Sequence, residues 1–192
     1  MKVLEVKNLS IGYGNLILQK EVNFSLSEGE ILFIKGANGS GKSTLIKTII
    51  GEVRSLAGAV ELVKSNIHIC HLPQVVSYDL PIAITLGEML KSFDVVEDSS
   101  IKFIDNNFLL KKWNEASGGE KQKALILSRV ASGCDVLILD EPFNHIDQES
   151  IGSISLFLAE LIRGKKVKSI IIVSHVSAQF DDKQPVKELS LK

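Results

Sequence analysis

The sequence predicts an α/β domain with a largely parallel sheet, preceded by antiparallel strands and interrupted by a small, mostly helical insertion. Three short, continuously apolar runs, at residues 31–34, 136–139 and 170–173, are typical of central strands that are buried on both faces, and the third strand is expected over 169–173. Segments of helical composition follow the first two runs, at residues 42–50 and 148–162. Because strands that alternate with helices form parallel sheets, these observations indicate the α/β class.

The first 72 residues are expected to be mostly β-structure. Rough apolar alternation at residues 2–7 and 21–26 predicts two antiparallel strands, with turn residues between them at 12–15. Residues 60–72 contain two further strand-like stretches. A glycine-rich loop at residues 36–41 follows directly after the first buried run.

The second half of the chain is expected to be richer in helix. A helix is predicted from residue 117 to residue 132, and the helix at residues 148–162 is amphipathic. Its apolar face comprises Ile151, Ile154, Leu158 and Leu161. A helical patch at residues 85–93 lies among weak strand signals and acidic loop residues, and it marks the insertion.

Length and composition fit one domain over residues 1–192, with 1–74 and 118–192 as its core and about 75–117 as the helical insertion. Hydrophobic residues make up 45% and charged residues 23%, which excludes a disordered chain. The net charge of −1 gives no electrostatic reason to expect nucleic acid as a partner. The apolar runs are far shorter than the ~20 residues of a membrane span, and the N-terminus has no hydrophobic signal region. Two cysteines are too few for a disulfide framework, so a cytosolic protein is expected.

A phosphate-binding pattern occupies residues 36–43, which read GANGSGKS and match G-x-x-x-x-G-K-[ST]. The glycines let the backbone fold tightly, so that its N–H groups and the start of the next helix form an anion cradle. Lys42 can reach the β- and γ-phosphates of a nucleotide, and the Ser43 hydroxyl can ligate Mg²⁺. The alternative is a tight turn that only caps a helix.

Two carboxylates end the second buried run, which reads VLILDE at residues 136–141. Asp140 can hold Mg²⁺ or its water, and Glu141 can polarise an attacking water as a general base. The alternative is a strand that simply reaches solvent, where acidic residues are common.

Ser117 and Glu120 are spaced as a capping box at the start of the next helix. Gly118 and Gly119 lie just inside that helix, where each costs ~1 kcal/mol relative to Ala. Capping requires neither glycine, so we expect something to approach this backbone closely. A helix N-terminus with unpaired N–H groups suits a phosphate.

These segments resemble the ATP-binding-cassette (ABC) ATPase family. Residues 36–43 are similar to its Walker A loop, residues 136–141 to Walker B, and residues 116–122, ASGGEKQ, to its signature, usually LSGGQ. The signature separates ABC ATPases from other phosphate-loop proteins, such as small GTPases and nucleotide kinases. The resemblance covers nearly the whole chain. It implies a P-loop NTPase (RecA-like) core, an N-terminal antiparallel β subdomain and a small inserted α-helical subdomain.

The resemblance implies roles for further residues. Tyr13 matches the aromatic that stacks on adenine, and Gln74 matches the glutamine that contacts Mg²⁺ and joins the core to the helical lobe. His175 matches the switch histidine that reaches the γ-phosphate, and Thr44 would contact phosphate through its hydroxyl. Asp147 lies in the D-loop, although it would also N-cap the helix that follows.

The implied site residues fall into three groups. The nucleotide-binding residues are Tyr13, Gly36, Asn38, Gly39, Ser40, Gly41, Lys42, Ser43, Thr44, Ser117, Gly118, Gly119, Glu120 and Asp147. The catalytic residues are Lys42, Glu141 and His175. The Mg²⁺ ligands are Ser43, Gln74 and Asp140.

Some positions depart from the family pattern. Ala116 and Glu120 replace the commoner Leu and Gln of the signature. The D-loop, NHID, lacks the usual small residue followed by Leu, and Val176 stands where an acidic residue often follows the histidine. None of these changes removes a reacting group.

The resemblance implies a transporter subunit that binds and hydrolyses ATP. Two such ATPase subunits, as a homodimer, would sandwich two nucleotides, with each signature acting on ATP bound by the partner. Separate integral-membrane permease subunits would form the transport path, which places the chain on the cytoplasmic face of the inner or plasma membrane. Residues 78–85, YDLPIAIT, look like the corresponding segment of zinc and manganese importer ATPases, while heme-export and other small-cassette subtypes stay open.

Two other classes of function are alternatives. A soluble, non-transport ABC ATPase, for example of the iron–sulfur assembly type, would share every motif. A nucleotide-binding module without hydrolysis is disfavoured by Glu141 and His175. A metal site at His68, Cys70 and His71 is also disfavoured, because His71 would face away from the other two on a strand.

Overall fold

Two β-sheets and the helices packed against them make up the protein. The structure is a computed structural model, and it describes residues 1–64, 66–74, 84–93, 95, 104–130 and 133–191. Most of the segment that resembles zinc and manganese importers, residues 78–83, lies outside the described residues.

The N-terminal sheet is a three-stranded antiparallel sheet. Strands β1 (Lys2–Tyr13) and β2 (Leu16–Ser27) form a hairpin, and β4 (Ala57–Leu62) pairs with the other edge of β1. The two predicted strands are confirmed and are longer than expected. The hairpin turn therefore contains only Gly14 and Asn15, and Tyr13 is the last residue of a strand.

The central sheet has five strands, all parallel to their neighbours. Its strands are β3 (Ile31–Lys35), β5 (Ile69–Leu72), β6 (Val136–Asp140), β7 (Ser169–Val173) and β8 (Val186–Ser190). Their order across the sheet is β5-β6-β7-β3-β8. The three apolar runs are thus the three inner strands, as their continuous hydrophobicity predicts. Strand β8 was not predicted.

Three longer helices connect the strands of this sheet. They are α1 (Lys42–Ile49), α4 (Gly118–Val130) and α5 (Gln148–Arg163), and each was predicted. The described part of the insertion contains α2 (Leu86–Lys91), which was predicted, and the five-residue α3 (Asn106–Leu110), which was not. Both short helices begin with a side-chain cap, from Thr85 and Asp105 respectively.

The inner strands divide the hydrophobic core into two layers. Alternate residues such as Phe33, Leu137 and Ile172 pack with helices α2 to α5 on one side of the sheet. Their neighbours, such as Ile34 and Ile138, pack with α1 and the antiparallel sheet on the other side. The predicted apolar face of α5 is buried in the first layer.

One edge of the central sheet collects the ends of four strands. Strands β5, β6, β7 and β3 are adjacent and parallel, so their carboxyl ends meet along the same edge. Asp140 is the last residue of β6, and the loops that follow the four strands carry Gln74, Glu141, His175 and the glycine-rich segment. Ligand sites of open parallel sheets form at this edge.

Candidate nucleotide-binding and hydrolysis site

The loop after β3 has a backbone that only glycine adopts readily at two positions. Gly39 has a φ of 84° and Gly41 a φ of 91°, both in the left-handed region. Gly36 leaves no room for a side chain, because a Cβ there would lie 2.4 Å from Ser40 Oγ. The N–H of Ser40 donates to the carbonyl of Ala37 at 3.1 Å, which closes the turn. These residues explain the glycine spacing of the motif.

Lys42 and Ser40 present polar groups within this loop. The Lys42 ammonium donates to the carbonyls of Gly36 at 2.8 Å and Ala37 at 2.9 Å, and the residue is buried. The Ser40 hydroxyl is buried without a hydrogen-bond partner among the described residues. Gln19 of β2 holds the loop from outside, since its Nε2 donates to the Ser40 carbonyl at 3.0 Å. A cationic, donor-lined loop of this kind fits a phosphate group.

Ser43 and Asp140 form a pair of oxygen ligands beside the loop. Ser43 Oγ lies 3.5 Å from Asp140 Oδ2. Burial raises the pKa of the Asp140 carboxyl, and the charge of Glu141 raises it further. The Ser43 hydroxyl and the ammonium groups of Lys42 and Lys47 only partly oppose this rise. Hard oxygen ligands whose negative charge lacks full compensation fit Mg²⁺.

Glu141 is held in place by the neighbouring strand β7. Its φ is 50°, and its N–H donates to the carbonyl of Val173 at 2.7 Å. Its carboxylate oxygen Oε2 lies 2.9 Å from His175 Nδ1 and 3.3 Å from the His175 backbone nitrogen. Two successive carboxylates therefore stand at the end of β6, Asp140 beside Ser43 and Glu141 beside His175.

A pocket of about 310 Å³ lies at this edge of the sheet. Its lining residues are Leu18, Asn38, Gly39, Gly41, Lys42, Ser43, Thr44, Gln74, Asp140 and Glu141. His175 is joined to it through Glu141, and Gly36 and Ser40 belong to its loop. The structure thus brings together most of the residues that the motifs predict. Tyr13, Asp147 and the signature residues 117–120 do not line this pocket.

Leu18 is a pocket residue that sequence analysis missed. Leu18 lies on β2, and a Cβ placed on Gly41 would be 3.2 Å from the Leu18 Cβ. The packing of this hairpin strand against the loop is a tertiary contact between distant parts of the sequence. Nothing in the motif itself points to Leu18.

The start of α4 has the predicted capping box. The Ser117 N–H donates to Glu120 Oε2 at 2.8 Å, and the Glu120 N–H donates to Ser117 Oγ at 3.2 Å. Sequence analysis missed Lys111, whose ammonium lies 2.8 and 2.9 Å from the two carboxylate oxygens of Glu120.

The two glycines of this turn have different surroundings. A Cβ at Gly119 would lie 2.8 Å from Ser150 Cβ, so the close approach that we expected comes from helix α5 of the same chain. A Cβ at Gly118 would lie 3.8 Å from the His145 carbonyl oxygen, which is an ordinary contact. Packing within the chain therefore explains Gly119 and does not explain Gly118.

Asp147 caps helix α5, as expected. Its Oδ1 accepts a hydrogen bond from the Ser150 N–H at 2.9 Å. The preceding His145 has a φ of 60°. This segment between β6 and α5 passes beside the start of α4, since both His145 and Ser150 face its glycines.

Comparison with known proteins identifies the family. A family model described as ABC transporter matches residues 19–144, which is well over half of the chain. The chain belongs to the ABC transporter ATPase family. The matched range contains the Walker A loop, the signature, Asp140 and Glu141, whereas Tyr13, Asp147 and His175 lie outside it.

Three relatives show the range of ABC proteins that this chain resembles. It is 33% identical over 199 residues to an uncharacterized ABC transporter ATP-binding protein of Methanocaldococcus jannaschii, covering 90% of this chain and 68% of that protein. It is 33% identical over 181 residues to the zinc import ATP-binding protein ZnuC of Jannaschia sp., covering 91% and 73%. It is 34% identical over 180 residues to "Probable ATP-binding protein YbiT" of Escherichia coli O157:H7, covering 90% of this chain but only 33% of that one.

Solved structures agree with the fold. An ATP-binding subunit of an ABC transporter superposes with a TM-score of 0.63 at 26% identity, covering 91% of this chain and 80% of that one. The P-loop α/β core with its antiparallel β subdomain is therefore the ABC ATPase fold, as expected. This ABC protein is an ATPase that binds ATP. Over the part of the chain that the structure describes, no helix has the length and apolar character to cross a bilayer.

Proposed function

We propose that this ABC ATPase hydrolyses ATP in the pocket beside Lys42 and so powers transport through separate integral-membrane permease subunits. One observation carries the proposal: Asp140 ends β6, Glu141 follows it directly, and the two carboxylates face different partners, Ser43 and His175. This arrangement provides one carboxylate for a metal ion and another for a water molecule at the same phosphate loop.

ATP binding is assigned to the glycine-rich loop. The N–H groups of residues 36–43, the Lys42 ammonium and the hydroxyls of Ser40 and Thr44 would hold the phosphates. The exposed ring of Tyr13 would stack on the adenine. Support comes from the buried hydroxyl of Ser40, which has no hydrogen-bond partner in the described part of the chain and can donate to a phosphate oxygen.

Mg²⁺ is assigned to the oxygen ligands beside the loop. Ser43, Asp140 and Gln74 would hold it, and all three line the pocket. The ion would supply positive charge that screens the phosphate oxygens. The raised pKa of the Asp140 carboxyl supports this assignment, because a carboxylate that is costly to ionise alone gains from a cation beside it.

Proton transfer is assigned to Glu141 and His175. His175 occupies the Oε2 oxygen of Glu141 with its ring and its backbone, and this leaves Oε1 to take a proton from the attacking water. With Nδ1 directed at Glu141, the other ring nitrogen of His175, Nε2, is the atom that would reach the γ-phosphate.

A second subunit, in a homodimer, would complete the site. The signature residues 117–120 do not line the pocket of their own chain, which supports a role at the nucleotide of a partner. Asp147 would lie at the same interface, because its segment packs beside the start of α4. Donors supplied in trans stabilise charge that develops on the transferred phosphoryl group.

The membrane partner is assigned to the helical insertion, residues 75–117, between two parts of one domain, 1–74 and 118–192. The ATPase would then sit on the cytoplasmic face of the inner or plasma membrane. Metal ions are the proposed cargo, and the support is the likeness to a ZnuC protein that is named for zinc import. A soluble, non-transport ABC ATPase is the competing function, since it would share every motif of the site.

A pull-down of Glu141→Gln from detergent-solubilised native membranes with Mg-ATP separates these functions. The substitution removes the proposed base, so the ATP-bound assembly should accumulate. We expect mass spectrometry to recover a polytopic membrane protein in stoichiometric amount. Lys42→Ala is the matched control and should recover much less of it, because it weakens ATP binding. Recovery of soluble partners alone would replace transport by the soluble function.

The cargo has its own test. Cells that lack this ATPase should contain less zinc or manganese than the parent when these metals are scarce, as measured by mass spectrometry of washed cells. Complementation by the native gene should restore the metal, and complementation by Glu141→Gln should not. Unchanged zinc and manganese in the mutant would remove metal ions as the cargo.

A further inference from the structure

An ion pair between Lys111 and Glu120 joins the helical insertion to α4, the helix that begins with the signature. The Lys111 ammonium contacts both carboxylate oxygens of Glu120, at 2.8 and 2.9 Å. The same carboxylate accepts the Ser117 N–H at 2.8 Å. Among the described residues, the Lys111 ammonium and the Ser117 N–H are therefore in hydrogen-bond contact with Glu120, and the Lys123 ammonium attracts it without such a contact, at a position where the family usually has a neutral Gln.

The position of Glu120 makes its charge consequential. It lies in the first turn of α4, where the N–H groups of Gly118 and Gly119 have no acceptor within the helix. A carboxylate at a helix N-terminus stabilises the helix, but it also opposes the approach of a second anion to the same N–H groups. An unpaired Glu120 would thus reduce the phosphate affinity of the very turn that is proposed to contact ATP.

Lys111 compensates this charge without using the donors of the turn. Burial alone would raise the pKa of Glu120, but the Lys111 ammonium and the Ser117 N–H outweigh it and hold the pKa below its ordinary value. Glu120 is therefore ionised near neutral pH, and the pair with Lys111 is neutral overall. The Ser117 hydroxyl accepts the Glu120 N–H and keeps its own hydrogen to donate.

The backbone around Lys111 fixes where its ammonium stands. Its carbonyl accepts the Leu86 N–H at 2.8 Å, and the next residue, Lys112, forms a bridge with Thr85. Lys111 thus follows α3 and is tied to the start of α2. The cation that compensates Glu120 belongs to the insertion and not to α4 itself.

We propose that Lys111 is a positioning residue that neutralises Glu120 and so lets the first turn of α4 accept the phosphate of ATP bound by the partner subunit. The proposal rests on the proposed function. It names a residue outside every motif, and it explains how this chain retains a carboxylate in its signature.

ATP-dependent dimerisation of purified Glu141→Gln tests the proposal. Light scattering gives the Mg-ATP concentration at which half of the protein is dimeric. Adding Lys111→Met should raise this concentration about five- to tenfold, because one uncompensated charge then faces the phosphate. Lys111→Arg keeps the charge and should stay within about twofold of the parent. Lys112→Met is the matched control, since the ion pair of the Lys112 ammonium among the described residues is an exposed one with Glu115 at 3.5 Å.

Rescue separates charge compensation from folding. Adding Glu120→Gln to Lys111→Met removes the uncompensated charge, so the triple variant should dimerise within about twofold of the parent. A Lys111 that only supports the fold would show no rescue, and a shared loss of melting temperature would accompany it. Lack of rescue, or an unchanged ATP requirement in Lys111→Met, would overturn the proposal. If Glu141→Gln itself stays monomeric with saturating Mg-ATP, the proposed dimer fails first and the role of Lys111 falls with it.

Discussion

His175 contacts Glu141 through two nitrogen atoms at once. Its ring Nδ1 lies 2.9 Å, and its backbone nitrogen 3.3 Å, from the same carboxylate oxygen, Oε2. The Glu141 side chain is 9% exposed and the His175 ring 57% exposed. The ring therefore holds a nearly buried carboxylate from the solvent side. Adjacent parallel strands make this possible, because Asp140 of β6 pairs in register with Val173 of β7.

His175→Ala should lower the ATPase rate by about 10²- to 10³-fold while leaving ATP affinity within a few-fold, because a group that acts in the transition state is lost. His175→Asn is the sharper variant. Its amide can replace Nδ1 at Glu141 but has no counterpart of Nε2, so most of the rate should still be lost. Steady-state phosphate release measures both. Wild-type turnover in His175→Asn would show that the ring only orients Glu141.

Asp140 should destabilise the nucleotide-free protein at neutral pH. Burial first, and the charge of Glu141 second, raise its pKa in the folded state above the ordinary value of 3.8. The folded protein then binds the proton more tightly than the unfolded chain does. The contribution of Asp140 to stability is therefore most favourable at pH values below 3.8, is lost as the pH rises through the folded pKa, and stays unfavourable at neutral pH.

Asp140→Asn removes this penalty and should raise the melting temperature at pH 7 by about 2–4 °C. Asp181→Asn is a control of opposite sign, because the Lys183 N–H and the Arg163 side chain lower the pKa of Asp181. That variant should melt at a lower temperature than the wild type at pH 7. With Mg-ATP the wild type should melt at a higher temperature than Asp140→Asn, since only the wild type gains the full stabilisation of the bound ion. If Asp140→Asn melts at a lower temperature than the wild type without nucleotide, the ionised Asp140 carboxylate does not destabilise the folded protein.

Gly119→Ala should destabilise the protein by about 1–2 kcal/mol. The new Cβ would lie 2.8 Å from Ser150 Cβ and 2.9 Å from its hydroxyl oxygen, and overpacking outweighs the gain in helix propensity. Gly118→Ala is the matched control. Among the described atoms its Cβ meets none closer than 3.8 Å, so stability should be unchanged or slightly higher.

Urea unfolding measures these differences. Combining Gly119→Ala with Ser150→Gly removes the two Ser150 atoms that would lie within 3 Å of the new Cβ, and it should recover much of the lost stability. Equal unfolding midpoints for the two single alanine variants would show that α4 and α5 are not packed closely at this point.

Strands β3, β6 and β7 could be predicted because burial on both faces makes each a continuous apolar run. Strand β8 could not, because it lies at the edge of the sheet and exposes most of its residues, so Val186 and Leu189 alone form no pattern. Helix α3 has five residues, too few for a helical period. These misses reflect weak burial and short length.

The site also has residues that the sequence predicts and residues that it does not. The phosphate loop and the Asp140–Glu141 pair are contiguous in sequence, and their chemistry is local, so motif spacing was sufficient to find them. Contacts between distant elements were not found. Leu18 lines the pocket from a hairpin strand, and Lys111 contacts Glu120 from the segment that follows α3. Both contacts result from tertiary packing, and no pattern in the sequence predicts them.

Glu141→Gln most directly tests the central claim that Glu141 is the base for ATP hydrolysis in an ATP-bound dimer. Phosphate release and light scattering would be measured on the wild type and the variant in saturating Mg-ATP. We predict at least a 10²-fold loss of turnover, intact ATP in the recovered protein and the mass of two chains. Wild-type turnover, or a monomer that holds ATP, would contradict the claim.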